Sequence, residues 1–197
     1  MADRYSWWQK WTSKEGRRWL FWLAMERLIR TLSYPNWRTF LIRCLGAKIG
    51  QRSFVHDVVF QNVYSNGFSN LQMGDRVSIQ SQCFIDLADK VILEDDVTVS
   101  AGVYILTHED CGAKMGKPLA KYFPPSRSPV YVKQGSWIGA RATLLSGVTV
   151  GSHSVVGACS LVNKDVPDWV VVAGVPAKEI RKIKDGEKHE HRIKVSD

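Results

Sequence analysis

The sequence predicts a mainly β protein built as a parallel β-helix. The first observation is a period of six from Val132 to Pro167. Aliphatic residues recur at Val132, Ile138, Leu144, Val150, Val156 and Val162. The second is the fifth place of each hexapeptide, always small or β-branched: Ser136, Ala142, Val148, Ser154, Ser160 and Val166. Such a period is neither the helical repeat of about 3.6 nor a plain alternation. Fixed hexapeptide self-similarity marks stacked coils. First and fifth places are separated by a multiple of the strand period, so both side chains point inward. One is bulky and one small, which lets neighbouring coils interdigitate. Glycine is frequent in second place (Gly139, Gly151, Gly157), where it is expected to supply freedom at the bend. One hexapeptide buries nothing alone, so several must stack.

Taken in order, residues 1–48 form an N-terminal helical segment. It opens with Trp7, Trp8 and Trp11 among polar residues. A helix is predicted from Ser13, which can cap it, with Glu15 in the first turn, where the helix dipole favours an acid. Trp19, Leu20, Phe21, Trp22, Leu23, Met25, Leu28, Ile29 and Leu32 follow, interleaved with Arg17, Arg18, Arg27 and Arg30. The uncharged run is too short to span a bilayer. A basic helix of this kind either lies in a membrane interface or caps the end of a repeat stack. Pro35 breaks it, and a second helix is expected from Trp37 to Leu45, ending at Gly46.

The β-helix is expected over 49–176. Its register starts at Ile49 and Val55, lapses over 61–72, where Val63, Tyr64 and Phe68 are read as strand residues, and returns at Met73, Ile79 and Ile85. It slips between Leu87 and Val91, then resumes at Leu93, Val99 and Ile105. A long loop, 107–129, interrupts the coils; it is rich in Gly and Pro. Long loops in compact domains are usually functional or disordered. A short C-terminal helix and a basic tail are expected over 177–197, frayed after Lys184.

Composition narrows the function classes. A 197-residue chain with 45% hydrophobic and 23% charged residues is globular, best read as one domain with terminal attachments. Cys44, Cys83, Cys111 and Cys159 show no CxxC spacing, which argues for a reduced, cytoplasmic chain. No apolar signal segment is evident at the start. The net charge of +8 suits an anionic partner: nucleic acid, a membrane surface or a small molecule. No nucleic-acid motif accompanies it, so nucleic acid is not expected.

The repeats, with Trp137-Ile138-Gly139, Lys164-Asp165-Val166-Pro167 and Ala173-Gly174-Val175-Pro176-Ala177-Lys178, resemble the hexapeptide-repeat acyltransferase family, its sugar O-acetyltransferases in particular. The resemblance covers Ile49 to Ile183. It implies a left-handed parallel β-helix, a homotrimer, and acetyl-CoA as co-substrate without a metal. It also implies His108 as general base, since a Thr-His pair before the extruded loop carries that role in the family. Neutral imidazole suits proton abstraction near neutral pH. By the same resemblance Asp86 and Trp137 contact the acceptor, and Ala140, Gly157, Ala158, Asn163, Lys164, Lys178 and Arg181 hold CoA. Asn163 replaces the family's Thr.

The implied reaction is direct acetyl transfer to a sugar hydroxyl, in surface-polysaccharide assembly. A lipid-linked acceptor and peripheral contact with the inner membrane face through residues 1–33 go with it. N-acetylation of an amino sugar or antibiotic-like compound is the alternative. A non-catalytic or metal-binding β-helix is the other, although His56, His108 and His153 share no register. A site on His108-Glu109-Asp110-Cys111 matches no zinc spacing.

Overall fold

The computed structural model describes residues 13–32 and 34–184. Trp7, Trp8, Trp11 and the tail beyond Lys184 lie outside the described residues. Helix α1 (Lys14–Thr31) starts at Ser13, whose Oγ accepts from Gly16 N at 3.0 Å. Helix α2 (Pro35–Cys44) begins with proline in its first turn, where the missing N–H costs nothing. Buried Arg38 joins the two helices. Its guanidinium donates to the last carbonyls of α1, at 3.0 Å to Ile29 O and 2.5 Å to Leu32 O. The cation thereby meets the negative end of the α1 dipole.

Both helices cap the first coil. That coil consists of β1 (Lys48–Ile49), β2 (Phe54–Val55) and β3 (Val58–Gln61). Thr39 Oγ1 of α2 accepts from Val55 N at 2.9 Å, which satisfies an edge donor that no preceding coil reaches. After β3 the chain makes one helical turn, α3 (Val63–Asn66), and Phe68 enters the core. The strand reading of Val63, Tyr64 and Phe68 is therefore corrected. Phe68 packs edge-on to Trp22 of α1 and to Phe60, and that aromatic contact holds the insertion against the helix.

The second coil is β4 (Leu71–Met73), β5 (Ser78–Ile79) and β6 (Cys83–Asp86), and the third is β7 (Val91–Leu93), β8 (Thr98–Val99) and β9 (Tyr104–Ile105). The extruded loop follows. It carries a small antiparallel pair, β10 (His108–Glu109) with β11 (Ser126–Arg127). The coils resume with β12 (Val130–Val132), β13 (Trp137–Ile138) and β14 (Thr143–Leu144), then β15 (Thr149–Val150), β16 (Val155–Val156) and β17 (Leu161–Val162). Three parallel sheets form the faces of the prism. The first face is β1-β4-β7-β12-β15 and the third is β3-β6-β9-β14-β17. The second runs from β2 through β5, β8, β13 and β16 to β18 (Val170–Ala173) and β19 (Lys178–Lys182).

The segment expected as a C-terminal helix is thus a strand. Strand β19 pairs antiparallel with β18 and covers the open edge of the second face. An unpaired edge offers a row of ladder hydrogen bonds, and these outweigh a weak helical preference in a charged segment.

The inward places behave as expected. All six first-place residues from Val132 to Val162 are buried, and so are the fifth-place residues, including Ser136, Ser154 and Ser160. The buried serines are satisfied across coils. Ser136 Oγ donates to Gly151 O, and Ser154 Oγ to Pro167 O, each at 2.6 Å.

The glycine expectation needs correction. Positive φ falls on fourth places instead, at Arg52, Arg76, Asp96, Arg141, His153, Cys159 and Trp169 among others. From the second coil on, these residues tolerate that conformation because their N–H groups bond the coil beneath, as Cys159 N does to Ala140 O at 2.9 Å. Second-place glycines serve close approach. A Cβ on Gly151 would meet the backbone of Pro167 and Asp168, 2.5 Å from the Asp168 nitrogen. Gly151→Ala is expected to destabilise the fold by about 1–3 kcal/mol in urea denaturation, the usual cost of overpacking. A neutral result would show that neighbouring coils can separate there.

Candidate active site

The extruded loop leaves the prism at the corner between its third and first faces. In the second coil that corner begins at Asp86, and in the third it begins at Thr107 and His108. Stacking therefore puts Asp86 beside Thr107 and His108, although 22 residues separate the acid from the histidine. Asp86 is fully buried. Asn62 Nδ2 donates to its Oδ1 at 2.6 Å, and Ala88 N does so at 3.1 Å. Thr107 N and Oγ1 reach Oδ2 at 3.0 and 2.9 Å. His108 Nδ1 stands 2.5 Å from the same oxygen.

This environment decides the charge of Asp86. Burial pushes its carboxyl up, but the hydrogen bonds from Asn62, His108 and Thr107 together hold it below its ordinary value. An ionised carboxylate accepts only, so Nδ1 of a neutral His108 carries the proton and Nε2 keeps its lone pair. The imidazole is 39% exposed while Asp86 lies behind it. The Asp86 oxygens accept from protein donors, and Oδ2 lies against the imidazole.

Glu109 does not join the pair. Neighbouring residues of a strand point to opposite sides, and His108 and Glu109 are consecutive in β10. Asp110 instead caps the loop, accepting from Gly112 N at 2.7 Å. Among the described residues, no three His, Cys, Asp or Glu side chains converge as a metal site.

The other expected residues divide between corners. Asn163 and Lys164 are exposed at the His108 corner, two coils further along. Ala140, Gly157 and Ala158 occupy the corner between the second and third faces. Lys178 comes to that corner too, because it pairs with Ala173, and a Cβ on Gly157 would stand 2.8 Å from the Ala173 Cβ. Arg181 pairs with Val171 within the second face. Trp137 is exposed on that face, its Nε1 donating to Ser100 Oγ at 2.8 Å. The second face is opposite the His108 corner, so one chain does not bring Trp137 and His108 together.

Asn62 and Tyr64, whose hydroxyl donates to Asn62 Oδ1 at 2.8 Å, were missed by sequence reasoning, and Thr107 was read only as the neighbour of His108. A signal existed: all three flank points where the hexapeptide register lapses.

Two family models match the repeats. One, described as bacterial transferase hexapeptide (six repeats), covers residues 129–164; the other, hexapeptide repeat of succinyl-transferase, covers 91–107. Galactoside O-acetyltransferase of Escherichia coli (strain K12) is 32% identical over 154 residues, which is 77% of this chain and 71% of the relative. The chain belongs to the hexapeptide-repeat acyltransferase family. Membership makes it an acyltransferase and accounts for the β-helix. A second relative in this family, WbbJ of Escherichia coli (strain K12), is named for O-acetyl transfer in lipopolysaccharide biosynthesis. It is 28% identical over 169 residues, 81% of this chain and 86% of WbbJ. A solved galactoside acetyltransferase in complex with coenzyme A superposes with a TM-score of 0.75 and 26% identity, over 92% of this chain and 88% of that one.

The depressed Asp86 carboxyl has a consequence for acid stability. Its stabilising contribution is complete above the ordinary value of 3.8 and is lost as pH falls through the lower folded value. Wild-type melting temperature should therefore fall below about pH 4, with a smaller acid step in Asp86→Asn. Equal acid slopes in thermal melts would contradict the ionised, hydrogen-bonded Asp86.

Proposed function

We propose that this acyltransferase moves the acetyl group of acetyl-CoA directly to a hydroxyl of a sugar, with His108 as general base. The observation that carries the proposal is the buried Asp86 carboxylate bonded to Nδ1 of a partly exposed imidazole. Acetyl-CoA supplies the acyl group as a thioester. His108 Nε2 takes the hydroxyl proton as the acceptor oxygen forms its bond to the acetyl carbon. The imidazolium, stabilised by Asp86, returns that proton to the departing sulfur. The named activities of the galactoside acetyltransferases and WbbJ support oxygen as the acceptor atom and a surface polysaccharide as the setting.

CoA fits the edge formed by Ala140, Gly157 and Ala158. Two are exposed residues with minimal side chains, and Gly157 has no room for a Cβ beside Ala173. Lys178 and Arg181 are the cations that would meet its phosphates, with Asn163 and Lys164 at the other corner. The division of these residues between two edges supports a homotrimer. A neighbour that sets its Trp137 edge against the His108 corner would complete the site, and three such contacts close a ring.

The reading places the protein in the cytoplasm, in peripheral contact with the inner membrane face. Exposed Trp19, Leu20, Phe21 and Leu23, among Arg17, Arg18, Arg27 and Arg30, support that contact. No helix among the described residues is long and apolar enough to cross a membrane. In co-sedimentation with phosphatidylglycerol vesicles, the Leu20→Asp/Phe21→Asp variant should remain in the supernatant while wild type pellets. Equal pelleting would remove the membrane from the account.

For the chemistry, His108→Ala should lower turnover by at least about 100-fold, as loss of a general base does. CoA affinity should be nearly kept. Turnover would be followed by CoA release across a panel of sugars, with mass spectrometry locating the acetyl group. Unchanged turnover removes His108 from the reaction, and an amide-linked product makes nitrogen the acceptor.

A further inference from the structure

Between α1 and the first coil lies a cleft of about 290 Å³. That is close to the lower end of clefts that hold small molecules, about 300–1,000 Å³. Trp19 and Trp22 line it from the helix, and Asn62 and Tyr64 from the turn after β3. Trp19 and Trp22 stand three residues apart, so they share one helix face.

Glu26 lies one turn further along. It is 9% exposed, and its buried Oε1 has no hydrogen-bond partner among the described residues. Arg30 Nε stands 4.0 Å from that oxygen, beyond hydrogen-bonding reach. Burial pushes the Glu26 carboxyl above its ordinary range, partly offset by Arg30 and Arg27. A buried acceptor without a hydrogen bond is costly, and a ligand hydroxyl in the cleft would supply the donor. Arg27 and Arg30 are exposed at the rim of the same cleft. The cleft thus offers flat aromatic walls, one buried acceptor and two outer cations. A ring hydroxyl fits the first two, and a phosphate fits the third.

The cleft is also tied to the catalytic pair. Tyr64 OH donates to Asn62 Oδ1, and Asn62 Nδ2 donates to the Asp86 carboxylate that holds His108.

We propose that this cleft is a distal acceptor subsite, and that it takes a hexose carrying a phosphate. Trp19 and Trp22 contact the ring, Glu26 accepts a ring hydroxyl, and Arg27 and Arg30 hold the phosphate. Its place in the reaction rests on the acetyl-transfer reading; its binding does not. The phosphate can belong to a soluble sugar phosphate or to a lipid-linked glycosyl phosphate.

Calorimetry on the full chain tests this with three probes: galactose 1-phosphate, methyl galactoside, and galactosyl phosphate linked to a short prenol in detergent micelles. Wild type should bind galactose 1-phosphate at least about tenfold more tightly than methyl galactoside. In Arg27→Gln/Arg30→Gln, two exposed positions, with the fold of the variant checked by circular dichroism, that difference should vanish. Equal wild-type affinities, or a difference that survives in the double variant, would overturn the subsite. Both sources support it: tighter binding of the prenol-linked probe selects the lipid-linked one, and equal binding the soluble one. A probe that binds as expected yet is never acetylated, by product mass spectrometry, upholds the cleft and defeats the acetyl-transfer reading instead.

Discussion

The constraint on which this molecule depends is the distance between coils. Parallel ladders set neighbouring strands about 4.8 Å apart, so each place of a hexapeptide lies over its counterpart. That one spacing explains why first and fifth places are buried, why buried serines reach carbonyls of the next coil, and why Gly139, Gly151 and Gly157 have no space for a side chain. It also explains the turns. A fourth-place N–H aimed at the coil beneath requires positive φ, and the bond gained there offsets the conformational cost even at Arg141 and Trp169.

The Asp86–His108 pair follows from the same stacking. Asp86 ends a strand of the second coil, and Thr107 and His108 follow the equivalent strand of the third. Once the coils align, the carboxylate is beside the imidazole without any further device. Thr107 and Asn62 then complete its hydrogen bonds. Regular coils thus hold an irregular loop at a defined point, with the His108 imidazole partly exposed. The second face, with Trp137, and the corner at Ala140 and Gly157 remain regular.

Much of this was legible in the sequence because the period of six is a direct imprint of the coil. The first and fifth places, the loop at 107–129 and the singular position of His108 were all readable from it. What escaped was whatever the period does not encode. Positive φ at Arg76, Arg141 and Cys159 has no signature in residue type, since those turns are fixed by bonds to the coil below. The partner role of Asp86 was hidden because its spacing to His108 spans an irregular corner. The helical turn at Val63–Asn66 depends on Phe68 finding Trp22, a contact between segments far apart in the chain. Strand β19 forms because β18 has an open edge, which its own residues do not announce.

The central claim is that Asp86 acts through His108, and a double-mutant cycle on turnover tests it most directly. Asp86→Asn should slow the reaction in the wild-type background and change it very little in a His108→Ala background. Losses that simply add would contradict the account, since Asp86 would then contribute to the reaction by a route that does not pass through the imidazole.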